Sequence, residues 1–249
     1  MLKYILCLFV LMTMSKLFGQ IIGQGAVDVN NNIYETVVIG PQEWFSENLR
    51  AKNYSNGEII PNIIDNATWA NVQFGGWSYW GNDSTIQYPQ GKLYNWYAVS
   101  DVRNICPTGW KVPSFEDWTI LFSYYGGTTS AGEALKTTGT LQNQDGLWTS
   151  PNIATNSSGF SAIPIGYRDN DGFFGGTYED GWWWSKTSSS NQANSATFIN
   201  LAAWSPGVGF SDTDVKNGFS VRCIKSYSVN IEEIELTSKK IQFARSRIG

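Results

Sequence analysis

Short apolar segments separated by polar and glycine-rich ones characterise the chain after residue 159. Their composition and the turn-forming residues around them predict strands over 160–167, 181–187, 195–201 and 218–225. Glycine, aspartate, asparagine and serine dominate the segments in between, which predicts loops over 168–180, 188–194 and 202–217. A β-branched run at 33–39 predicts one earlier strand.

Helical periodicity is clearest before these strands. Apolar side chains recur at i, i+3, i+6, i+7 and i+10, which places them on one helix face. They are Phe115, Trp118, Leu121, Phe122 and Tyr125. Ser114 and Asp117 form an S-x-x-D capping pattern, so we predict a helix over 114–127 that ends at a glycine pair. A shorter helix is predicted over 131–139, and helices followed by a group of strands indicate an α+β fold.

The segment GWWWSKT, residues 181–187, contains three consecutive tryptophans. Side chains alternate between the two faces of a strand, so Trp182 and Trp184 are expected on one face and Trp183 on the other. Tryptophan can form a platform for sugar rings or fill a hydrophobic core. We expect most of this tryptophan surface to be buried, and we expect the loop over 168–180 to be the better place for a ligand.

The N-terminus is typical of a secretory signal peptide. Lys3 precedes an apolar run over residues 5–14, which is too short to span a bilayer. We predict a signal peptide over residues 1–20, cleavage near Gly19–Gln20, and export to the cell surface or the medium. A short buried N-terminal strand is the alternative. No later apolar stretch is long enough to serve as a transmembrane anchor in the mature chain.

Composition narrows the possible functions. The chain has 249 residues, a formal net charge of −4, 42% hydrophobic residues, 15% charged residues and no histidine. A globular protein is therefore expected. The only basic cluster, residues 239–247, lies in a predicted C-terminal tail over 227–249, so no nucleic-acid partner is predicted. Without histidine, Ser-His-Asp catalysis, Cys-His catalysis and nearly all zinc sites are excluded.

Cysteine usage agrees with export. Cys7 lies within the predicted signal peptide, which leaves Cys106 and Cys223 in the mature chain. Two cysteines in an exported protein indicate one disulfide bond. Two free, buried thiols are the alternative.

Six sequence blocks follow one another in a recognisable order. They are IYETVVIGPQEWFSENLR (33–50), GKLYNWYAV (91–99), ICPTGWKVPSFEDWTIL (105–121), GFSAIPIGYR (159–168), GWWWSKT (181–187) and GFSVRCIK (218–225). Together they resemble the Fibrobacter succinogenes major paralogous domain family, a group of exported bacterial surface domains. The resemblance covers roughly residues 28–226, and we take 21–226 as the domain.

That family is similar to the wider C-type-lectin-like superfold. The resemblance implies two helices packed on a twisted antiparallel sheet, long loops, termini close together, and a disulfide from the helix region to the last strand. Cys106 and Cys223 stand where such a bridge would form. The Glu-Pro-Asn and Trp-Asn-Asp signatures of calcium-dependent sugar-binding lectins are absent from the sequence, so that activity is not carried over.

Carboxylates in two predicted loops are candidate ligand groups. Asp169 and Asp171, and likewise Asp212 and Asp214, stand at i and i+2, a spacing that can begin a calcium loop. The glutamate of an EF-hand does not follow Asp171, and a polar turn between strands is the alternative. Calcium is the one cofactor that the sequence leaves open.

Aromatic residues are the other candidate ligand groups. Tyr178 and Trp204 lie in predicted loops, and Trp77 and Trp80 lie in FGGWSYWGND, residues 74–83. The C–H faces of sugars stack on aromatic rings, while amides bind sugar hydroxyls. The alternative is that these side chains pack their loops onto the domain.

Two arginines lie in or beside apolar strands. A buried arginine requires partners, so we expect Arg168 and Arg222 to bind carboxylates or backbone carbonyls in a structural role. Binding of a ligand carboxylate is the alternative.

These observations favour an exported, non-catalytic binding module that recognises a glycan or a surface protein through loops on a lectin-like scaffold. One alternative is a structural or adhesive cell-surface component that packs beside other copies and binds no small ligand. The other is an enzyme of the formylglycine-generating type. That enzyme is disfavoured because its copper-binding cysteine pair requires two free thiols.

Overall fold

The computed structural model describes residues 20–226, without the side chains of residues 86–88. The predicted signal peptide up to residue 19 and the predicted tail over 227–249 lie outside the described residues. In the described part of the chain, no helix combines the length and the apolar character needed to cross a membrane.

The fold is mixed, with many short strands and few helices. The strands are β1 Ile21–Ile22, β2 Ala26–Val27, β3 Ile33–Tyr34, β4 Thr36–Ile39, β5 Gln42–Phe45, β6 Trp77–Ser78, β7 Leu93–Asn95, β8 Trp110–Lys111, β9 Ile165–Arg168, β10 Phe174–Thr177, β11 Asp180–Ser188, β12 Ser195–Ala202, β13 Gly209–Asp214, β14 Gly218–Phe219 and β15 Ile224–Lys225. The helices are α1 Asn66–Ala70, α2 Gln87–Gln90, α3 Trp96–Ser100, α4 Phe115–Ser123 and α5 Ala131–Leu135. Single 3₁₀ turns cover Trp80–Asn82 and Ser84–Ile86. The expected pair of helices corresponds to α4 and α5, but three further short helices accompany them.

Two main sheets organise these strands. The larger is eight-stranded in the order β13-β12-β11-β9-β14-β7-β6, with β10 paired to β9. The smaller is five-stranded in the order β1-β4-β5-β15-β8, and β2 and β3 form a separate pair. The pairing of β11 with β9 is parallel, whereas the other pairs of these strands are antiparallel.

Helix α4 forms where the sequence predicts it because its first turn is capped locally. The Ser114 side chain accepts a hydrogen bond from the Asp117 amide, and the Asp117 carboxylate accepts one from the Ser114 amide. The helix is shorter than predicted, since it ends at Ser123 before the glycine pair. Helix α5 also ends early, because Lys136 is extended and the Thr137 amide bonds to the carbonyl of another segment.

Some predicted boundaries are wrong. The predicted loop over 168–180 contains β10, which pairs with β9, and the one over 202–217 contains β13, which pairs with β12. Both strands are rich in glycine or polar residues, so they are ordered by hydrogen bonds to a partner and not by apolar patterning. The strands predicted over 160–167 and 218–225 form only in part, as β9 and as the separate strands β14 and β15.

Two hydrophobic cores lie on opposite sides of β11. We call the first the helix-side core, because it contains Trp183 and residues of α4 and α5. Its other large members include Trp44, Trp118, Trp148 and Phe160. The second, the disulfide-side core, contains Trp184. Its other members include Tyr94, Phe219, Cys106 and Cys223.

The three consecutive tryptophans are divided between these cores. Trp183 and Trp184 are fully buried on opposite faces of β11, and Trp182 is half-buried on the same face as Trp184. The Trp183 indole donates to Asn48 Oδ1 (2.9 Å), and the Trp184 indole donates to the carbonyl of Tyr94 (2.7 Å). The expectation that most of this tryptophan surface is buried is therefore confirmed.

The predicted disulfide is present. Cys106 and Cys223 are bonded, with their Cα atoms 5.9 Å apart and a sequence separation of 117. The bridge ties the segment between α3 and β8 to the residue that precedes β15.

Arg222, the residue before Cys223, is buried. Its guanidinium group is hydrogen-bonded to backbone carbonyls and to one side-chain amide. Its guanidinium donates to the carbonyl oxygens of Phe45 (3.1 Å) and Ser161 (3.0 Å) and to Asn48 Oδ1 (2.8 Å). It also donates to the carbonyl of Phe160 and lies over that ring. Burial lowers the pKa of Arg222 to about 9. The structural role expected for this arginine is confirmed.

Candidate ligand-binding site

The predicted ligand residues are distributed between two ends of the eight-stranded sheet. Strands β9 and β11 run parallel to each other, whereas β10, which follows β9 in the chain, runs antiparallel to it. The β9–β10 turn and the β10–β11 turn therefore lie at opposite ends of the sheet. Asp169 and Asp171 lie in the first turn and Tyr178 in the second. Trp204 lies at the Tyr178 end, because the amide of Ala203 donates to the carbonyl of the residue after Tyr178 (2.9 Å).

Asp214 lies at the Asp169 end of the sheet. It ends β13, and its carboxylate Oδ2 accepts a hydrogen bond from the side chain of Asn170 (3.4 Å). Asp212 lies two positions earlier on β13 and accepts a hydrogen bond from the Thr197 hydroxyl (2.8 Å). The structure thus brings Asp214 next to the Asp169 turn, but it separates both from Tyr178 and Trp204.

The aromatic candidates differ in exposure. Trp204 is 52% exposed and Tyr178 is 41% exposed, as expected for ligand-binding loops. Trp77 is only 5% exposed, and its indole donates to the carbonyl of Ile60 (2.8 Å). Trp77 therefore follows the alternative given for it, packing onto the domain, because the chain forms β6 at this point and places the ring in the disulfide-side core. Trp80 is half-buried against the Phe174 ring, with centroids 6.0 Å apart.

The turn at Asp169 is held together by the Asp169 carboxylate. Its Oδ1 accepts hydrogen bonds from the amides of Asp171 and Phe173 (3.0 Å each). The Asp169 amide donates to the Phe173 carbonyl (2.8 Å), and Gly172 adopts a positive φ of 90°. Asp169 thus organises a polar turn, the arrangement that its side chain favours. Among the residues described, no group of three or more histidine, cysteine, aspartate or glutamate side chains could hold a metal ion.

Arg168 anchors this turn to the rest of the domain. Its buried guanidinium donates to the carbonyls of Gly172 (2.9 Å) and Ile64 (3.2 Å), to Asn66 Oδ1 (3.0 Å) and to the carbonyl of Ile63. It also lies 4.3 Å from the centroid of a tryptophan ring in α1. Burial lowers the pKa of Arg168 to about 10. The turn is therefore rigidly positioned, and the expected backbone partners of Arg168 are confirmed.

A polar cleft opens beside the Asp169 end of the sheet. It has a volume of about 600 Å³. It lies between the C-terminal end of α1, the helix α3, the residue that precedes β12 and the end of β13. Its polar lining residues are Asn71, Gln73, Tyr97, Asn194, Asp214 and Lys216. The Lys216 ammonium donates to the carbonyl of Ala70 (3.0 Å), which holds the two walls together.

The cleft presents side-chain groups that are free for a ligand. Within the described range, the amides of Gln73 and Asn194 and the hydroxyl of Tyr97 make no side-chain hydrogen bond. Asp214 supplies a carboxylate at the end of β13, although the Lys216 amide (2.8 Å) already binds its Oδ1. Amides that donate and accept, one aromatic ring and one carboxylate suit a polar ligand rich in hydroxyl or amide groups.

Sequence reasoning identified only one wall of this cleft. Asp214 lies in a predicted ligand loop, whereas Gln73, Tyr97 and Asn194 were not predicted. These residues come from three separate segments, and no local pattern of spacing connects them. The predicted loops over 188–194 and 202–217 contain Asn194 and Asp214, but their sequence gave no sign that the two residues share a site.

Comparison with known proteins gives one match. A family model described as the Fibrobacter succinogenes major domain matches residues 37–225, which include the whole cleft and the disulfide. No curated protein and no solved structure matches the chain.

Proposed function

The chain belongs to the Fibrobacter succinogenes major domain family, and we propose that it is an exported, non-catalytic binding module of the bacterial surface. The polar cleft beside the β9–β10 turn is the observation that carries this proposal. It combines free amides, a tyrosine hydroxyl and a carboxylate, and it lies beside a turn that hydrogen bonds of Arg168 and Asp169 hold in place. A rigid scaffold that presents polar groups at the end of a sheet is a common design for recognition.

We assign a glycan to this cleft in preference to a protein. The cleft takes its polar groups from amide, hydroxyl and carboxylate side chains, which match the hydroxyls of a sugar. A protein interface would more often present a large apolar centre. The proposal itself includes no calcium ion, and the glycan array with a chelator tests whether glycan binding depends on one.

A C-type-lectin-like fold is part of the same proposal. It is supported by the mostly antiparallel eight-stranded sheet and by a disulfide that connects distant segments next to the last described strand. Absence of catalysis is supported by the sequence, which contains no histidine. The bonded pair Cys106–Cys223 argues against a formylglycine-generating-type enzyme, whose copper site needs both thiols free.

The test is a glycan array probed with the exported protein, with and without a chelator. Wild type should bind a defined set of glycans, and the double variant Gln73→Ala, Tyr97→Phe should bind at least one class of them at least tenfold more weakly. The variant keeps the fold, because it removes only groups without a side-chain hydrogen-bond partner in the described chain. Trp204→Ala, at the other end of the sheet, is the matched control and should bind as wild type does.

Binding that survives in the double variant but is lost in Trp204→Ala would place the ligand at the Tyr178 end and contradict the cleft. An array with no bound glycan would contradict the glycan assignment. Binding lost in the chelator and restored by calcium would add a metal to the site.

A structural or adhesive role is the second candidate, and exposed apolar side chains near the start of the domain favour it. Ile22 is 85% exposed on β1, the edge of the five-stranded sheet, and Ile33 is 71% exposed on β3. Exposed edge strands with apolar side chains favour pairing with other copies. Sedimentation velocity tests this role: self-association of wild type that Ile22→Lys abolishes would support it, and a monomer at all concentrations would contradict it.

A further inference from the structure

Three half-buried aromatic side chains form a continuous surface on the face of the sheet that carries Trp184. The ring centroids of Tyr167 and Trp182 lie 5.3 Å apart, and those of Trp182 and Phe198 lie 4.8 Å apart. Asn200 lies directly opposite Trp182 in the β11–β12 register, and Asp180 lies two positions before Trp182 on the same face. We call these five residues the Trp182 surface. None of them lines the polar cleft.

The rings of this surface are held in place from below. Phe219, a buried residue of the disulfide-side core, stacks on Trp182 with a centroid distance of 5.4 Å and an interplanar angle of 26°. Phe219 also contacts the ring of Phe198, at 5.5 Å. Because the core fixes these rings before any ligand arrives, little side-chain entropy is lost when a ligand binds.

Glycines make room for the surface. A Cβ atom on Gly175 would lie 2.8 Å from the Tyr167 hydroxyl oxygen, and one on Gly176 would lie 3.1 Å from the Tyr167 ring. The glycine pair of β10 thus leaves space for this tyrosine. On the other side, Gly209 lies opposite Asn200 on β13, which is the edge strand of the sheet. The surface therefore stays open toward that edge.

Asn200 and Asp180 provide the polar groups. The Asn200 amide nitrogen donates to Asp180 Oδ1 (3.4 Å) and to the carbonyl of Gly181 (3.3 Å). These bonds direct the Asn200 carbonyl oxygen toward Gly209, where an added Cβ would meet it at 3.4 Å. In the described part of the chain, Asn200 Oδ1 and Asp180 Oδ2 accept no hydrogen bond, so both can accept from ligand hydroxyls.

The geometry selects among ligand classes. An aromatic cage for a cation needs rings around a gap, but here the Trp182 ring contacts each of the other two rings directly. The one charged side chain of the surface is the Asp180 carboxylate, which disfavours an anion. The Trp182 ring, bordered by two inclined aromatic rings and by acceptors for hydroxyl groups, suits the C–H face of a sugar ring.

We propose that the Trp182 surface binds a neutral sugar residue of a polysaccharide, with the C–H face of the sugar on Trp182 and its hydroxyls toward Asn200 and Asp180. The open edge at Gly209 lets the polysaccharide continue past β13. This site is separate from the polar cleft and does not depend on it. Its chemistry requires no metal and no conformational change.

Affinity electrophoresis tests the proposal. Native gels contain a neutral galactomannan, arabinoxylan or mixed-linkage β-glucan, and a parallel gel contains the anionic polygalacturonate. Wild type should be retarded by at least one neutral polymer and not by polygalacturonate. Asn200→Ala removes one acceptor and should weaken retardation about three- to tenfold, the loss expected for one hydrogen bond. Trp182→Leu should abolish it.

Two controls separate this site from others. Trp182→Leu also removes core contacts, so the test depends on Asn200→Ala. An unchanged thermal midpoint for Asn200→Ala shows that its weaker retardation is not caused by a loss of fold. The cleft variant Gln73→Ala, Tyr97→Phe should leave retardation at the wild-type level. Retardation that this cleft variant loses and Asn200→Ala keeps would overturn the Trp182 surface while supporting the cleft. No retardation by any neutral polymer, or stronger retardation by polygalacturonate, would also overturn it.

Discussion

The helix-side core and the disulfide-side core share the strand β11, but they are closed in different ways. The helix-side core is covered by α4 and α5, and its aromatic rings pack on one another, as Trp44 and Trp118 do at 4.8 Å. The disulfide-side core is closed by the bond between Cys106 and Cys223, and toward Trp182 it opens into a half-buried aromatic surface. One strand can therefore seal a core with one face and display rings with the other.

Each core also contains a buried lysine, and the two ammonium groups are satisfied differently. Lys136, beside Trp148 in the helix-side core, donates to the carbonyls of Ala202 (2.6 Å), Ala203 (2.9 Å) and a neighbouring serine. In the described part of the chain, the Lys92 ammonium donates to a single carbonyl, that of Arg50 (2.7 Å), and it lies over the rings of two residues of the disulfide-side core. The ammonium group of Lys136 is thus the more completely hydrogen-bonded of the two.

The largest effect is expected at the centre of the helix-side core. Trp183→Ala removes a fully buried ring and the hydrogen bond from its indole to Asn48. The free energy of unfolding should fall by about 3–5 kcal/mol, as for other large-to-small changes in cores. Urea denaturation measures it. Trp182→Ala is the matched control and should cost clearly less, because that ring is only half-buried; equal losses would contradict the contrast between the two faces.

The second largest effect concerns the disulfide-side core. Replacing both Cys106 and Cys223 by alanine opens a loop of 117 positions and should lower the free energy of unfolding by about 2–4 kcal/mol. Thermal unfolding of the variant and of wild type, both without reductant, gives the comparison. Two reactive thiols in the folded wild-type protein would contradict the bridge.

The two buried lysines give a smaller contrast. Lys136→Met leaves three carbonyl oxygens without their donor, so it should destabilise the protein by about 1–3 kcal/mol. Lys92→Met removes one hydrogen bond and also the cost of a buried charge, so its effect should stay below about 1 kcal/mol. Urea midpoints of both variants at pH 7 measure the difference. A larger loss in Lys92→Met would contradict the expected difference between the two lysines.

The smallest effect is a dependence of stability on pH. Burial lowers the pKa of Lys92 to about 7 and that of Lys136 to about 8. Well below pH 7 both lysines are protonated in the folded and the unfolded chain, so they contribute no pH dependence there. From pH 7 toward the ordinary lysine value of 10.5 the unfolded chain binds more protons, so stability should rise with pH.

Variants isolate this contribution from other titrating groups. The free energy of unfolding is measured at pH 7 and pH 9.5 for wild type and for Lys92→Met. Wild type should gain more stability than Lys92→Met over this interval, because the variant lacks the titrating amine. Identical gains in the two proteins would contradict a lowered pKa at Lys92.

Local chemistry explains which elements could be predicted from the sequence. Helix α4 carries its own cap in Ser114 and Asp117, and β11 and β12 carry enough apolar residues to form strands in any sheet. Such features depend on neighbours within a few positions, which a sequence displays directly. Strands β10 and β13 were missed because they depend on hydrogen bonds to partner strands.

The candidate sites were predicted less well than the fold. Trp204 and Tyr178 are exposed as expected, but the sheet separates them from Asp169 and Asp214. The cleft also needs Tyr97, which lies more than a hundred positions before the end of β13. Proximity of such distant residues is a consequence of strand order, and strand order has no local signal.

By itself the sequence determined the family, the capped helix, the disulfide and the alternation of Trp182, Trp183 and Trp184 across β11. Only the tertiary structure decided that Trp183 is sealed under helices while Trp182 remains half-buried beside Asn200. The physical reason is that the period of a strand assigns side chains to faces, whereas burial depends on what packs against each face. A ligand surface on this protein is therefore defined by the part of the sheet that its helices and loops leave uncovered.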